Sequence, residues 1–206
     1  MEDSDIPLKD PMPDLAPTAR RLLEAAIRVL DREGFKALTF EKTGREAGEN
    51  AALIRYHFGS KAGLVSTLAD AVLYRRASEM IRVLSEQPAG EARRETLFRM
   101  QRDLLVADST GFVRLFELVP NARRNPELLG KLRDVMRWFR SLDAWALGGE
   151  DPGPHEVAAI EPLAVLAPAI LNGLALEAQA DPELAIEPAF ELWKQLVMDY
   201  LKSLKG

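Results

Sequence analysis

A chain of 206 residues, 47% hydrophobic and 29% charged, has the composition of a globular protein with a sizeable core. It contains no cysteine, which excludes disulfides and thiolate metal sites, and no apolar run reaches the roughly 18–20 residues that span a bilayer. The net charge of −5 gives no overall sign of a nucleic-acid partner, although a total can conceal a local asymmetry.

The first 16 residues are acidic and rich in proline, with neither a basic start nor an apolar core. They therefore do not form a secretory signal, and we predict a disordered arm over residues 1–16. Without such a signal and without cysteine, the chain is expected in the cytoplasm.

Helical patterns follow one another along the rest of the chain. An apolar stripe at helical spacing follows Thr18 and ends at Gly34, Thr39 begins a short second helix, and Asn50 and Ser60 can cap the third and fourth. Further helical patterns cover residues 91–107, 111–121, 126–147, 155–180 and 187–204. The sequence predicts an all-α fold of about nine helices.

Two prolines complicate the pattern over residues 155–180. Pro162 and Pro168 lie inside it, where a proline costs about 3 kcal/mol or kinks the axis. We therefore expect this helix either to start later or to bend.

The segment from Thr39 to Leu64 carries the most information. Thr39 caps a short helix that Ala47-Gly48 closes, and Asn50 caps another of about two turns. Two short helices joined by a tight turn form a helix-turn-helix, whose second helix enters the major groove of DNA. Its outward positions are predicted to be Asn50, Ala51, Ala52 and Arg55. Arginine favours guanine and asparagine favours adenine, so Arg55 and Asn50 are the candidate base readers.

The charge of this region supports a nucleic-acid partner. From Arg20 to Lys61 nine basic residues stand against six acidic ones, which gives +3 and leaves −8 for the remainder of the total of −5. One basic section on an acidic body is compatible with a DNA-binding head.

The same segment resembles the TetR family of transcriptional regulators. The matching residues are Ala26, Gly34-Phe35, Thr39, Ala47-Gly48, Tyr56-His57-Phe58-Gly59-Ser60-Lys61 and Leu64. The resemblance implies a three-helix DNA-binding domain at residues 17–63, joined to a larger helical bundle for ligand binding and dimerisation at 64–206. It makes Thr39, Tyr56, His57 and Lys61 backbone contacts and Asn50, Ala51 and Arg55 groove-facing residues. Lys42 and Arg45 complete the predicted DNA-binding set.

Three departures from the family pattern bear on the head. Thr43-Gly44 replaces an apolar residue and an alanine, so the first short helix should be less stable. Glu49 replaces a small apolar residue in the turn, and Arg55 stands where tyrosine is common. A surface pair between Glu49 and Arg55 is the alternative to a free Arg55.

The C-terminal part contains residues suited to a ligand cavity and to a dimer interface. The resemblance implies a cavity, for which the candidate lining residues are Phe98, Phe112, Phe116, Trp138, Trp145 and Asn172. Core packing is the alternative for each of them.

In the family the last two helices of each subunit form a four-helix interface. The candidate interface residues here are Leu163, Leu166, Ile170, Leu174, Leu192 and Leu196. The small residues Ala167, Ala169, Gly173 and Ala175 would permit close helix approach. Burial of this stripe within the monomer is the alternative.

These features together predict a homodimeric, ligand-responsive repressor that binds a palindromic DNA operator. No catalytic or metal-ligating constellation accompanies His57 and His155, the two histidines of the chain, so we expect no enzyme, no metal and no cofactor beyond an effector of unknown chemistry. The alternative is a helical ligand-binding or interaction protein whose head has lost DNA binding.

Overall fold

A computed structural model describes residues 1–2, 5–123 and 126–204, with the side chains of residues 107–122 and 127 excepted. Eight α-helices and no strand occur in these ranges, so the predicted all-α class is confirmed. The helices are α1 (Pro17–Glu33), α2 (Phe40–Ala47), α3 (Ala52–Phe58), α4 (Lys61–Ser85), α5 (Glu91–Ala122), α6 (Pro126–Leu147), α7 (Pro154–Ala180) and α8 (Ile186–Ser203).

The helix count differs from about nine because α5 is a single helix. Sequence analysis placed two helices there, separated before Gly111. One glycine inside a helix costs only about 1 kcal/mol relative to alanine, which is too little by itself to require that the helix end there.

Helix α7 continues through both of its prolines. Pro162 removes one backbone hydrogen bond, the one that the Ala158 carbonyl would accept. Pro162 and Ala158 are both exposed, so water can bond to that carbonyl. The predicted alternative of a later start is therefore wrong, since α7 begins at Pro154.

The same helix adds to the expectation about apolar segments, since no uninterrupted apolar run in it reaches 18 residues. An 18-residue window of α7 reaches a mean hydropathy of 1.7, so the helix is long and apolar enough to cross a membrane by length and composition alone. A search for uninterrupted apolar runs missed it because such a window tolerates an occasional acid. Only 28% of this window is buried within the chain.

Contacts divide the chain into two compact units. The head unit contains residues 3–79 and 122–135, and the body unit contains residues 1–2, 80–121 and 136–206. Helices α4 and α6 each contribute to both. The predicted boundary near residue 63 stays a prediction. So does the disorder of residues 1–16, where Ile6 is buried and residues 12–14 form a 3-10 turn.

The core of the head unit is built on one face of α1. Leu22, Leu23 and Val29 are fully buried there, as are Leu38 before α2 and Ile54 of α3. Burying a leucine or isoleucine side chain contributes about 1.5–3 kcal/mol, so these side chains fix α2 and α3 against α1.

In the body unit a buried arginine joins three elements. The Arg94 guanidinium of α5 donates to the carbonyl of Leu147 at 2.5 Å and to Glu156 of α7 at 3.3 Å. Glu156 also accepts from the backbone N–H of Gly149 at 3.2 Å. The connection between α6 and α7 is thereby attached to the start of α5.

Candidate nucleic-acid interface

The turn between α2 and α3 has the geometry of a helix-turn-helix. Gly48 ends α2 in the left-handed conformation, with φ of 67°. Such a φ suits glycine because it has no Cβ. At the other end of α2, the Thr39 hydroxyl oxygen accepts from the backbone N–H of Lys42 at 3.1 Å, which confirms the predicted cap.

Gly44 allows the turn to lie close against α2. A Cβ at this position would lie 2.9 Å from the carbonyl oxygen of Glu49 and 3.0 Å from the backbone nitrogen of Ala51. Gly44, which the sequence predicts to destabilise α2, therefore also allows the turn to pack closely against this helix. Its neighbour Thr43 is fully buried, and the hydroxyl oxygen has no hydrogen-bond partner among the described residues.

Asn50 caps α3 as predicted. Its side-chain oxygen accepts from the backbone N–H of Ala52 at 2.8 Å, and its carbonyl accepts from Leu53 at 2.9 Å. Ile54 is the buried anchor of α3, whereas Leu53 is half-buried.

The outward side of the head contains most of the predicted DNA-binding residues. Tyr56 is the most exposed, at 80%. Thr39, Arg45, Asn50, Arg55 and Lys61 are also exposed. His57 is half-buried, with its ring 4.9 Å from the Tyr56 ring in an edge-on arrangement.

Two predicted residues have other contacts. Ala51 is half-buried against Gly44, and the Lys42 ammonium donates to the Glu33 carboxylate. Ala52, which lies one residue further along α3, is exposed instead.

The junction between α3 and α4 depends on a glycine that sequence analysis did not single out. A Cβ on Gly63 would lie 2.0 Å from the carbonyl oxygen of Phe58, the last residue of α3. The Gly63 N–H donates to the Ser60 hydroxyl oxygen at 3.1 Å, so Ser60 caps α4 as predicted. Gly59, which lies between α3 and α4, has a φ of 72°. This joint places Lys61 at the start of α4, with its ammonium 5.3 Å from the Phe35 ring centre.

Acidic side chains of the head are neutralised by arginines of α1. Glu46 accepts from Arg28 at 3.0 Å and from Arg32 at 2.8 Å. Hydrogen bonds from Arg32 and Arg28 lower the pKa of Glu46 below its usual range. In the same way, the hydrogen bond from Lys42 lowers the pKa of Glu33.

Glu49 is also neutralised by an arginine of α1, and the surface pair with Arg55 considered from the sequence does not form. Its carboxylate pairs with Arg21 of α1, where Nε lies 3.1 Å from Oε1, and not with Arg55. Within the described residues Arg55 makes no ion pair. The side chain with the strongest base-reading chemistry is therefore exposed and unpaired.

The body unit distributes the predicted ligand residues over different environments. Phe98 and Trp138 are buried, and within the described part of the chain the Trp138 indole N–H has no hydrogen-bond partner. Trp145 lies under the Arg93 guanidinium at 4.2 Å, and Asn172 is half-buried. Phe112 and Phe116 lie outside the described side chains.

An open cavity of about 300 Å³ lies between α5 and α8. Phe98 is the predicted ligand residue, among those described, that lines it. Charged side chains surround Phe98 and Phe190 there, and Glu95 pairs with Lys194 at 2.6 Å.

The predicted interface residues divide by exposure. Leu192 and Leu196 of α8 are 58% and 59% exposed, and Leu166 of α7 is also exposed. Ile170 and Leu174 are half-buried, and Leu163 is buried within its own chain.

The small residues of α7 divide in the same way. Ala167 and Ala175 face the interior, whereas Ala169 and Gly173 are exposed. Two of the four are thus available to a partner helix.

In the described part of the chain no group of three or more histidine, aspartate or glutamate side chains could hold a metal ion.

Comparison with known proteins adds a family and a fold. Residues 22–68 match the family model of bacterial regulatory proteins, tetR family. The resemblance to that family is thereby confirmed in this segment. No curated protein sequence matches the chain.

Solved structures share the fold over most of the chain. A transcriptional regulator from Rhodococcus sp. Rha1 has 21% identity and a TM-score of 0.67, covering 89% of this chain and 97% of its own. A TetR transcription regulator from Haloarcula marismortui has 16% identity and a TM-score of 0.65, covering 92% and 98%. The multidrug binding protein EbrR, complexed with proflavin, has 22% identity and a TM-score of 0.60, covering 89% and 99%. The chain therefore has the fold of TetR transcriptional regulators.

Proposed function

We propose that this chain, whose N-terminal segment matches the tetR family model on a TetR-like fold, is a dimeric repressor that binds a palindromic operator and releases it when a small molecule binds. One observation carries the DNA-binding part. Arg55 projects from the recognition helix α3, exposed and without an ion pair among the described residues. A free guanidinium on such a helix suits bidentate contact with guanine.

Asn50 is the second proposed base reader, although its side-chain amide also caps α3. Its oxygen already accepts from Ala52, but an amide oxygen has two lone pairs and the NH₂ group has two protons to donate. Contact with adenine is therefore compatible with capping.

The proposed backbone contacts surround these readers. Tyr56 and Thr39 offer hydroxyl groups, His57 a ring N–H, and Lys61 an ammonium group at the start of α4, where the helix dipole also favours a phosphate. Arg45 is exposed and adds a positive charge. Lys42 would reach DNA only by leaving Glu33.

The experiment begins with selection of preferred duplexes from a random pool by the purified full chain. Fluorescence anisotropy then compares Arg55→Ala with Lys61→Ala on selected and unselected duplexes. Arg55→Ala should cost about 1–3 kcal/mol on the selected duplex only, whereas Lys61→Ala should weaken both and lower the salt slope by about 1. Arg75→Ala is the control, since Arg75 is an exposed arginine about 21 Å further along α4.

Two results would contradict the proposal. Absence of salt-sensitive binding to any duplex would favour a helical ligand-binding protein without DNA binding. Identical behaviour of the Arg55 and Lys61 variants would contradict the division into reader and backbone contact.

Dimerisation is supported by the apolar side chains that α7 and α8 leave uncovered. Leu166, Leu192 and Leu196 are joined by exposed Val165, Leu176 and Tyr200. Burying these side chains against a second copy would place two recognition helices on half-sites about 34–36 Å apart, or a multiple of that spacing.

We propose that the effector binds in the body unit. EbrR, which shares the fold, is a multidrug binding protein with structures containing proflavin and malachite green. We propose a small organic effector for this chain as well. The check is release of the selected duplex by members of a small-molecule panel, with a parallel rise in the melting temperature of the free protein. We further propose that this regulator acts in the cytoplasm and has no catalytic activity.

A further inference from the structure

We propose that Arg21 is a positioning residue of the recognition helix, which it orients through Glu49 in the turn before α3. The inference rests on the proposed DNA-binding function. Glu49 is the residue at which the turn departs from the family pattern, and none of the DNA contacts proposed above uses it.

The Arg21 guanidinium is held by two partners. Its Nε donates to Glu49 Oε1 at 3.1 Å, and one terminal NH₂ group donates to the same oxygen. That NH₂ group also donates to the Thr18 hydroxyl oxygen on α1 at 3.1 Å. The guanidinium is therefore attached both to its own helix and to the turn, across 28 residues of sequence.

The Glu49 backbone is attached to a different helix. Its N–H donates to the Gly44 carbonyl of α2 at 2.9 Å, and its carbonyl oxygen would lie 2.9 Å from a Cβ at Gly44. The turn is thus connected to α2 by its main chain and to α1 by its side chain. Asn50, the cap of α3, is the next residue, so both attachments fix where the recognition helix begins.

A direct phosphate contact is the competing role for Arg21, whose side chain is 52% exposed. The geometry favours positioning because the Glu49 side chain is only 19% exposed and already neutralises the guanidinium. Exposed ion pairs have small effects, so the expected change in binding is about threefold to tenfold.

The two roles predict opposite effects of Glu49→Gln. If Arg21 positions α3, Arg21→Met and Glu49→Gln each lower the ratio of selected to unselected duplex affinity by about threefold to tenfold. The salt slope stays unchanged, and the double variant is no worse than either single variant. If Arg21 binds a phosphate, Arg21→Met weakens both duplexes alike and reduces the salt slope by about 1, while Glu49→Gln strengthens binding.

Arg28→Met is the matched control. Arg28 of α1 pairs with Glu46 of α2 at 3.0 Å, and the side chains are 50% and 22% exposed, close to the values for Arg21 and Glu49. This pair does not involve the turn, so its loss should leave the affinity ratio unchanged. An equal loss from Arg28→Met would overturn the positioning role.

Amide hydrogen exchange in the free protein provides a readout that needs no DNA. Arg21→Met and Glu49→Gln should accelerate exchange at Leu53 and Ile54, whose amides donate to the backbone carbonyls of Asn50 and Ala51, and Arg28→Met should not. Unchanged exchange in both turn variants would overturn the inference even if DNA binds. Faster exchange in a protein that binds no duplex would instead contradict only the proposed function.

Discussion

The helices of the head unit and those of the body unit are stabilised in different ways. In the head unit α2 and α3 are short, and caps, glycines and ion pairs to α1 fix where each begins and ends. In the body unit α7 and α8 are long, and they leave Leu166, Leu192 and Leu196 exposed. The short helices of the head are thus fixed by contacts within one chain, whereas α7 and α8 of the body have apolar surface that a second chain could cover.

The head depends on local sequence signals, whereas the surface of the body depends on how long helices are oriented. Caps and left-handed turns depend on a few adjacent residues, so the head can be read locally. The surface of the body depends on which face of each long helix packs inward, and its sequence pattern does not fix that face. Four changes test the contrast.

The largest effect is expected from the double substitution Leu192→Asp with Leu196→Asp. Two carboxylates on the exposed face of α8 should prevent dimerisation, because burying unpaired charges is costly. A monomer engages one half-site, so affinity for a palindromic duplex should fall by at least about a hundredfold. Sedimentation velocity measures the first effect and anisotropy the second.

Leu129→Asp on α6 is the control, since Leu129 is an exposed leucine of the head unit. It should change neither mass nor affinity. A dimeric double variant would show that the contrast between the units is wrong.

The next largest effect is expected from Gly63→Ala in the head unit. The new Cβ would overlap the Phe58 carbonyl oxygen, so the joint between α3 and α4 must shift. Overpacking of this kind costs about 1–3 kcal/mol, which thermal unfolding would detect.

Gly130→Ala on α6 is the matched control. A Cβ there meets no atom of the described residues within 4 Å, so this variant should gain about 0.5–1 kcal/mol from reduced chain entropy. Equal stability of the two variants would contradict the tight joint.

A smaller effect is expected from Gly44→Ala. Helix propensity alone predicts a gain of about 0.5–1 kcal/mol, but the Cβ would lie within 3.1 Å of three backbone atoms of the turn. Because these atoms belong to the main chain, we expect a net loss on the order of 1 kcal/mol in urea unfolding. A gain in stability would show that helix propensity outweighs the close contacts of the new Cβ with the turn.

The smallest effect is expected from mild acid. The pKa values of Glu46 and Glu33 are lowered in the folded head, so their ion pairs contribute stability above the usual carboxyl pKa near 4.5. That contribution is lost as the pH falls through the lowered values. Glu46→Gln should therefore reduce the unfolding midpoint at pH 7 and lose its effect once the pH lies below the lowered pKa of Glu46, as circular dichroism can measure. A pH-independent difference would contradict the ion-pair account.

Much of the fold could be predicted because its signals are local. Thr39, Asn50 and Ser60 cap the helices expected from them, and Gly34 and Gly48 end their helices with positive φ. The family resemblance then gave the arrangement of α1 to α3. The continuity of α5 and of α7 could not be predicted, since Gly111 or Pro162 weakens a helix locally without requiring that it end there.

The candidate site was only partly predictable. Arg55 and Tyr56 follow from their places on α3, but the partner of Glu49 lies 28 residues earlier in the sequence. Gly63 has no pattern that distinguishes it from any other helical glycine, and only the position of the Phe58 carbonyl shows what it does.

The contact between Gly63 and Phe58 also has a mechanical consequence. Because a Cβ on Gly63 would overlap the Phe58 carbonyl oxygen, the first turn of α4 lies against the end of α3, and a rotation of α4 at this joint would carry α3 with it. Helix α3 has 7 residues and is therefore about 10 Å long, so a turn of roughly 10° displaces its far end by about 2 Å. That distance exceeds the tolerance of a bidentate hydrogen bond to a base.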